Sequence, residues 1–360
     1  MDIPDFKIYD DDSGTVGQES IYAAGVARKR RMLLVSASAL LALILISLVV
    51  NNIDYPVGDV LATFLTHDTS GALGRYVGKL DVPGIAAAIL SGAGLSLAGV
   101  VMQCILRNPL ASPYTLGLSS ASAFGAAFAI IVFEGGTAAY GIYSGAVTPL
   151  CAFIFAMAAT GIVLVLTKMT RVSSETMVLA GIAVSAIFSA GLTLMQYLAD
   201  PVQLSSIVSW TFGNLRTATP EWDLVLFAAV SVIAAYFMVN RWTLNAMNAG
   251  DEVARGLGVN TGAVLIIGLT LSGLLSAVVV SQFGVIAFVG LLGPHMARMM
   301  MGDDHRFLIP GSMLAGAILM LAANEVASNI VLPMLLPVGL LTSLLGGPMF
   351  IILLIRRYRR

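Results

Sequence analysis

Long stretches without a charged residue dominate the chain. The uncharged windows are 32–53, 82–106, 108–133, 135–167, 176–199, 224–240, 256–297, 307–324 and 326–355. A helix needs roughly 20 apolar residues to cross a bilayer, and none of these windows shows the two-residue alternation of barrel strands. The window 256–297 is long enough for two helices with a turn near residues 282–284. The pattern predicts an all-α, polytopic integral membrane protein with about ten transmembrane helices.

Three other regions do not fit a transmembrane helix. The window 201–215 is too short to cross and is predicted to lie at the membrane interface, and residues 51–81 form a polar connection. Residues 1–31 begin acidic and end in the basic cluster 28–31. We therefore expect two parts, a disordered cytoplasmic tail over 1–31 and a transmembrane domain over 32–358.

The composition agrees with this pattern. Apolar residues make up 58% of the chain and charged residues 11%, against roughly a quarter charged in soluble domains. These values exclude an ordinary cytosolic enzyme, a disordered chain and a secreted disulfide scaffold. The net charge of −1 argues against a nucleic-acid partner, and the two cysteines, Cys104 and Cys151, lie inside apolar stretches.

The basic residues give the orientation of the chain, because cytoplasmic loops carry an excess of Lys and Arg. If the N-terminus is inside, only three of the 19 basic residues fall outside, namely Arg75, Lys79 and Arg216. We expect a cytoplasmic (inner) membrane protein with both termini in the cytoplasm.

The sequence lacks an ATP-hydrolysing loop. Such a loop ends in Gly-Lys followed by Ser or Thr, whereas the one Gly-Lys pair, Gly78-Lys79, precedes Leu80. The histidines form no zinc motif, so neither a metal site nor a cofactor is predicted. The chain is therefore expected not to be an enzyme, and any dependence on ATP must come from partners.

Two other function classes stay open at this point. An intramembrane hydrolase would need Ser119 or Ser120 opposite His295, with no evident carboxylate to orient the histidine. An ion-coupled carrier would use an ionisable group within a span, and Glu325, near the outer end of its helix, is the candidate.

Small and weakly polar residues recur at helical spacing in two windows. One stripe consists of Gly181, Ser185, Ser189 and Thr193, extended by Gln196, and the other of Gly92, Ser96, Gly99 and Gln103. Such stripes either let helices approach closely or line a wet path. The spacing alone leaves both interpretations open.

The segment 241–260 predicts a short helix, a break at Gly250 and a second short helix. Asp251 and Glu252 suit the positive N-terminal end of the second helix, and Gly258 suits its end. Val253, Ala254 and Leu257 are expected to form one apolar face, which would dock in the groove of a partner or lie on lipid headgroups.

Ordered motifs along the chain resemble the FecCD family of binding-protein-dependent ABC permeases, which import iron chelates, haem and vitamin B12. The matching motifs are Ser91–Gly99 with Gln103, Arg107–Pro113 with Leu116-Gly117, Leu179–Ala183, Leu244–Asn260, Phe288–Leu291 with Pro294-His295 and Arg298, Asp304–Arg306, and Leu336–Gly339 with Thr342, Gly346 and Pro348. The likeness covers about residues 32–358.

The resemblance implies a type II ABC importer permease fold with ten spans per subunit and specific partners. These are a second permease subunit (identical or a paralogue), two ATP-binding subunits and an extracytoplasmic substrate-binding protein. It implies a translocation path along Gly181, Ser185, Ser189, Thr193, Gln196 and Gln103, and an inner gate loop at Ser173, Ser174 and Glu175. The residues it implies for ATPase coupling are Leu244, Asn245, Gly250, Asp251, Glu252, Ala254, Arg255, Leu257 and Gly258.

The chain departs from its relatives where the binding protein docks. The family often has an Arg-Leu-Pro-Arg-like stretch at the outer start of the second span, whereas this chain has Asp81-Val82-Pro83-Gly84. Ser328 replaces a further outer-face arginine. We therefore expect Asp81, Gly84 and Ser328 to contact the binding protein with partly inverted charge, against the alternative that the outer acids only solvate the loops.

The resemblance favours an iron–siderophore complex as the transported substrate, with haem or vitamin B12 as alternatives. A large substrate in a weakly polar channel leaves little trace at single residues, so the sequence does not separate the three.

Overall fold

The computed structural model describes residues 12–51, 55–66, 71–133, 144–169, 174–331 and 334–358. These residues form fifteen α-helices and no strand. The helices are α1 (Asp12–Val50), α2 (Val57–Thr66), α3 (Gly71–Tyr76), α4 (Val82–Ile105), α5 (Leu118–Val132), α6 (Ser144–Met169), α7 (Ser174–Leu198), α8 (Pro201–Thr211), α9 (Pro220–Val239), α10 (Arg241–Asn248), α11 (Asp251–Gly256), α12 (Thr261–Phe283), α13 (Val289–Met301), α14 (His305–Asn329) and α15 (Val338–Tyr358).

The all-helical, polytopic fold predicted from the uncharged windows is confirmed. Each of the ten predicted segments contains one helix: α1, α4, α5, α6, α7, α9, α12, α13, α14 and α15. Among the described residues, seven helices are long and apolar enough to cross a membrane. The other three predicted segments contain the shorter α5 and α13, and α15, whose apolar part spans 338–352.

Helix α5 is shorter than its window because the first part of the window is not helical. Pro109 and Pro113 interrupt the helix, and the chain instead forms a 3₁₀ turn over Pro113–Leu116 that ends at Gly117, with φ +82°. The loop residues Ala111 and Ser112 are buried in the protein, which is the condition under which irregular backbone is tolerated at membrane depth.

The turn predicted near residues 282–284 separates α12 from α13. Gly284 ends α12 with φ +75°, a conformation that glycine adopts without strain. A Cβ at this position would also overlap the backbone of Trp210 at the end of α8. The turn and α8 therefore lie against each other.

Helix α4 is the centre of the molecule and is buried along nearly its whole length. Gly92 packs directly on Gly316 of α14, and Gly99 packs on Gly290 of α13, so that a Cβ on either would overlap backbone atoms. The Ser96 hydroxyl donates to the carbonyl of Val289 at 3.2 Å. For Gly92, Ser96 and Gly99, the stripe therefore serves close helix packing rather than a wet path.

Residues 12–31 of the predicted tail belong to α1, which begins at Asp12 and continues into the first apolar window. The Tyr22 hydroxyl accepts a hydrogen bond of 2.9 Å from Arg306, and the Lys29 ammonium lies 5.5 Å from the ring centre of Phe307. Residues 1–11 lie outside the described residues.

Candidate functional site

The two ends of the helix bundle differ in the arginine residues that they carry. Arg107, Arg241, Arg298 and Arg306 lie near one end, which we call the basic end, and the turn between α12 and α13 lies at the opposite end. The predicted coupling residues lie at the basic end and the predicted docking residues at the opposite end. Five of the six predicted path residues lie between them on α7, and Gln103 lies on α4.

Helix α7 exposes polar side chains along one side. Ser189 and Thr193 are exposed, and Ser185 and Gln196 are partly exposed. Gly181 differs from them, because it is buried and a Cβ there would overlap the carbonyl of Thr115. Exposed polar groups are unfavourable against hydrocarbon, so this side of α7 suits a protein or water environment better than lipid.

Ser120 of α5 belongs to the same polar surface, although the sequence offered it only as a candidate nucleophile. The Ser189 hydroxyl donates to the Ser120 hydroxyl at 3.3 Å. The Thr193 hydroxyl donates to the backbone carbonyl of Ser189 at 3.0 Å. In the part of the chain that the structure describes, Ser120 therefore contacts another hydroxyl rather than His295.

The structure does not place Gln103 on this surface. Its side chain is only 3% exposed, and its amide oxygen accepts a hydrogen bond of 3.0 Å from Arg298 of α13. The same guanidinium pairs with Asp303 at 2.7 Å. In this conformation Arg298, distant in sequence, covers Gln103, and the role of Gln103 in the path stays a prediction.

An open concavity of about 420 Å³ lies at the opposite end, between α8 and the turn after α12. No residue that lines it is charged. The lining residues are Ser205, Ser206, Ser209, Trp210, Asn214, Thr217, Gln282, Phe283 and Gly284. The sequence predicts only an interfacial segment over 201–215 and does not indicate this surface. The density of Ser and Thr in the segment is the signal that points to it.

The three predicted docking residues, Asp81, Gly84 and Ser328, meet around one small cavity at the opposite end. Arg216 lines the same cavity, whose volume of about 30 Å³ has room for one or two water molecules. Asp81 is only 7% exposed. In the single chain the Asp81 side chain is therefore turned inward, and its contact with a binding protein stays a prediction.

This burial predicts how Asp81 affects docking. We expect Asp81→Asn to change the rate of binding-protein association at low salt by less than about twofold, because a buried charge contributes little to long-range steering. Asp59→Asn is the matched control, since Asp59 is exposed on α2 and its loss should alter the rate more. The measurement is surface-immobilised kinetics at two salt concentrations. A larger change in the association rate for Asp81→Asn than for Asp59→Asn would contradict the view that the Asp81 carboxylate is turned inward.

Glu325, the candidate for ion coupling, connects two helices. Its carboxylate accepts a hydrogen bond of 2.5 Å from the Ser47 hydroxyl of α1. The neighbouring Asn329 donates to the Glu325 carbonyl at 2.9 Å. This geometry fits attachment of α14 to α1 and gives no specific support to an ion-coupled carrier.

The predicted helix, break and helix over 241–260 are present as α10, Gly250 and α11. Gly250 has φ +117° and Gly258 has φ +83°, which explains the glycines at both positions. Glu252, Arg255, Leu257 and Gly258 are exposed and are available to a partner.

Two predicted coupling residues face the interior instead. Leu244 is 1% and Ala254 0% exposed, so Ala254 does not share an apolar face with the exposed Val253 and Leu257. Both side chains pack into the core, because the short helices need an apolar side to hold them on the bundle. Their effect on a partner can only be indirect.

Polar contacts fasten this segment to the end of α4. Arg107 pairs with Asp251 at 2.9 Å between guanidinium nitrogen and carboxylate oxygen. The Cys104 thiol donates to the carbonyl of Leu244 at 3.2 Å. Arg107 has φ +47°, an uncommon conformation for a residue with a side chain, and this turn directs its side chain towards α11.

The predicted inner gate loop falls at the edge of the described chain. Ser173 lies outside the described residues, and Ser174 begins α7 with Glu175 as its second residue. Their assignment to a gate stays a prediction.

Comparison with known proteins gives concordant results. The model of the FecCD transport family matches residues 39–356. The ABC transporter permease protein MJ0087 of Methanocaldococcus jannaschii is 47% identical over 78% of this chain and 82% of its own. The hemin transport system permease protein HmuU of Yersinia pestis is 35% identical over 82% and 87%. The molybdate import system permease protein MolB of Haemophilus influenzae is 35% identical over 79% and 82%.

A solved structure has the same fold. It is a metal-chelate type ABC transporter in an inward-facing conformation, with a TM-score of 0.77 and 30% sequence identity. The match covers 91% of this chain and 99% of the other.

Proposed function

This chain belongs to the FecCD transport family, and from that premise we propose that it carries an iron–siderophore complex across the cytoplasmic membrane as part of an ATP-driven importer. It is a membrane-spanning permease of the ABC importer class and not an enzyme of its own. The observation that carries the proposal is the family match over residues 39–356, which extends from within α1 to within α15.

The permease role implies further subunits: a second permease, ATPases and a binding protein. We propose that two ATPase subunits contact the exposed residues of α10 and α11 at the basic end, which would lie in the cytoplasm together with both termini. The exposed pair Val253 and Leu257 supports this assignment, since an apolar patch next to charged residues suits a protein groove. The binding protein would dock at the opposite end.

The substrate path is proposed to follow the polar side of α7. Ser185, Ser189, Thr193 and Gln196, with Ser120 of α5, would face the second permease subunit across the path. Their exposure in the single chain supports this, because a polar helix side needs a partner or water in the membrane. If the second permease subunit is identical, it contributes the same polar surface to the other side of the path. If it is a paralogue, it contributes a different surface.

The chemistry of the concavity at the opposite end supports a chelate as the substrate. Its lining offers hydroxyl and amide groups and one indole, without a charged side chain. A small oxyanion such as molybdate is normally held by charged or convergent N–H donors, whereas a bulky, hydrogen-bonding chelate can use neutral groups. Haem and vitamin B12 are the alternative substrates, and the homology to HmuU favours haem of the two.

Reconstitution tests the function. The permease, its partner subunits and its binding protein in proteoliposomes should accumulate a ferric hydroxamate siderophore only when ATP is inside. Parallel vesicles receive haem, cobalamin or molybdate, and a control set lacks the ATPase subunits. Uptake of haem or cobalamin, without uptake of the siderophore, would contradict the proposal that an iron–siderophore complex is the substrate. Uptake driven by an ion gradient without the ATPase subunits would contradict the assignment as an ATP-driven importer. Hydrolysis of a membrane substrate would favour the intramembrane hydrolase.

A further inference from the structure

Asn245 is a highly connected polar side chain of the α10–α11 segment, and its contacts are with the start of α14. Its amide nitrogen donates to the Asp304 carboxylate at 3.1 Å. Its amide oxygen accepts from the backbone N–H of His305 at 2.9 Å and lies 2.8 Å from Nδ1 of the same histidine. Three contacts thus join α10 to the first residues of α14.

The contacts act as a helix cap supplied by another helix. Asp304 is the N-cap of α14 and accepts from the backbone N–H of Arg306. The first N–H groups of a helix have no partner within the helix, and here Asn245 satisfies one of them from outside. Loss of this cap would leave a buried donor unpaired, because His305 is only 1% exposed.

Trp242 provides a second contact on the same side of α10, three residues before Asn245. The Arg306 guanidinium lies 5.0 Å from the centre of its ring and donates twice to the Asp304 carboxylate, at 2.7 and 2.8 Å. Partial burial alone would raise the pKa of Asp304, but the hydrogen bonds from Arg306 and Asn245 outweigh it and lower the pKa to about 2. Asp304 is therefore a carboxylate at neutral pH and binds both partners.

Helix α14 connects this corner to the opposite end of the molecule. Its 25 residues span roughly 37 Å at 1.5 Å per residue. It packs tightly on α4 where Gly316 meets Gly92, and its far end supplies Asn324 and Ser328 to the small cavity near Asp81. Close-packed protein interiors transmit strain, so displacement of the first turn of α14, which lies before Pro310, is expected to reach that cavity.

We infer that Asn245 and Trp242 of α10, together with Asp304, His305 and Arg306 of α14, form a joint that transmits movement of α10 to α14. Asn245 is thus a positioning residue rather than a contact for the ATPase. The joint couples the basic end to the cavity at the opposite end. The inference rests on the proposed function, because it assigns the source of the movement to the ATPase subunits.

The test measures substrate molecules transported per ATP hydrolysed in proteoliposomes with all partners. Asn245→Leu keeps the side-chain size but removes all three contacts, and we expect the ratio to fall at least tenfold. Ser231→Leu is the control, since Ser231 is an exposed polar residue in the middle of α9, outside the α10–α11 surface, and it should keep the wild-type ratio. A purely structural role would reduce transport and hydrolysis together and leave the ratio unchanged.

A second variant protects the test against misfolding of the first. Trp242 is 57% exposed, so Trp242→Leu is expected to fold, and its ratio should fall at least threefold. If both variants transport as much substrate per ATP hydrolysed as the wild type, the inference that these residues form a joint is wrong. If the wild-type transporter itself shows no ATP-dependent uptake, the proposed function fails, and this outcome is distinct from failure of the joint.

Discussion

Replacing Ser189 with Trp is expected to lower substrate uptake at least tenfold while the assembled transporter remains folded. Ser189 is exposed in the single chain and its hydroxyl donates to Ser120, so the larger side chain meets no core. If the polar side of α7 lines the substrate path, an indole there occupies the space that a bulky chelate needs. The measurement is ATP-driven uptake in proteoliposomes, with the amount of assembled complex determined by size-exclusion chromatography.

Ile187→Trp provides the matched control. Ile187 is 70% exposed on the same helix, and two residues of separation turn it roughly 200° away from Ser189. Its replacement adds an aromatic ring on the apolar side of the helix, where lipid or protein can accommodate it, and uptake should stay within about twofold of wild type. Equal uptake by the two variants would place the path elsewhere.

Substitution of Gly99 by Ala is expected to lower the free energy of unfolding by about 3 kcal/mol or more, at the upper end of the usual cost of overpacking. The new Cβ would overlap the backbone carbonyl of Gly290. A backbone atom cannot move aside as a flexible side chain can, so α4 and α13 would have to separate. Denaturant unfolding of the detergent-purified protein measures the difference.

Gly161→Ala serves as the control for this substitution. Gly161 lies in α6, and a Cβ there would meet no atom within 4 Å. Alanine favours the helix over glycine by up to about 1 kcal/mol, so this variant should be as stable as wild type or slightly more stable. Similar losses at both positions would show that the close approach of α4 to α13 does not limit stability.

The partners of the site residues lay beyond the reach of the sequence. Gln103 and Gln196 both extend a stripe of small residues, yet Arg298 covers the first while the second stays partly exposed. The sequence places Asn245 on the ATPase surface with its neighbours, whereas its side chain contacts residues about 60 positions later in the chain. Ser120 became part of the polar surface only through its contact with Ser189.

The sequence by itself determined the ten helical segments, the family and the break at Gly250. Each of these follows from local properties: the length of an apolar run against the thickness of the bilayer, and the backbone freedom of glycine. Only the tertiary structure decided which side chains are covered and by what. Asp81 turns inward, Ala254 packs into the core and Asn245 caps α14, because these outcomes depend on helices that meet in space from distant parts of the chain.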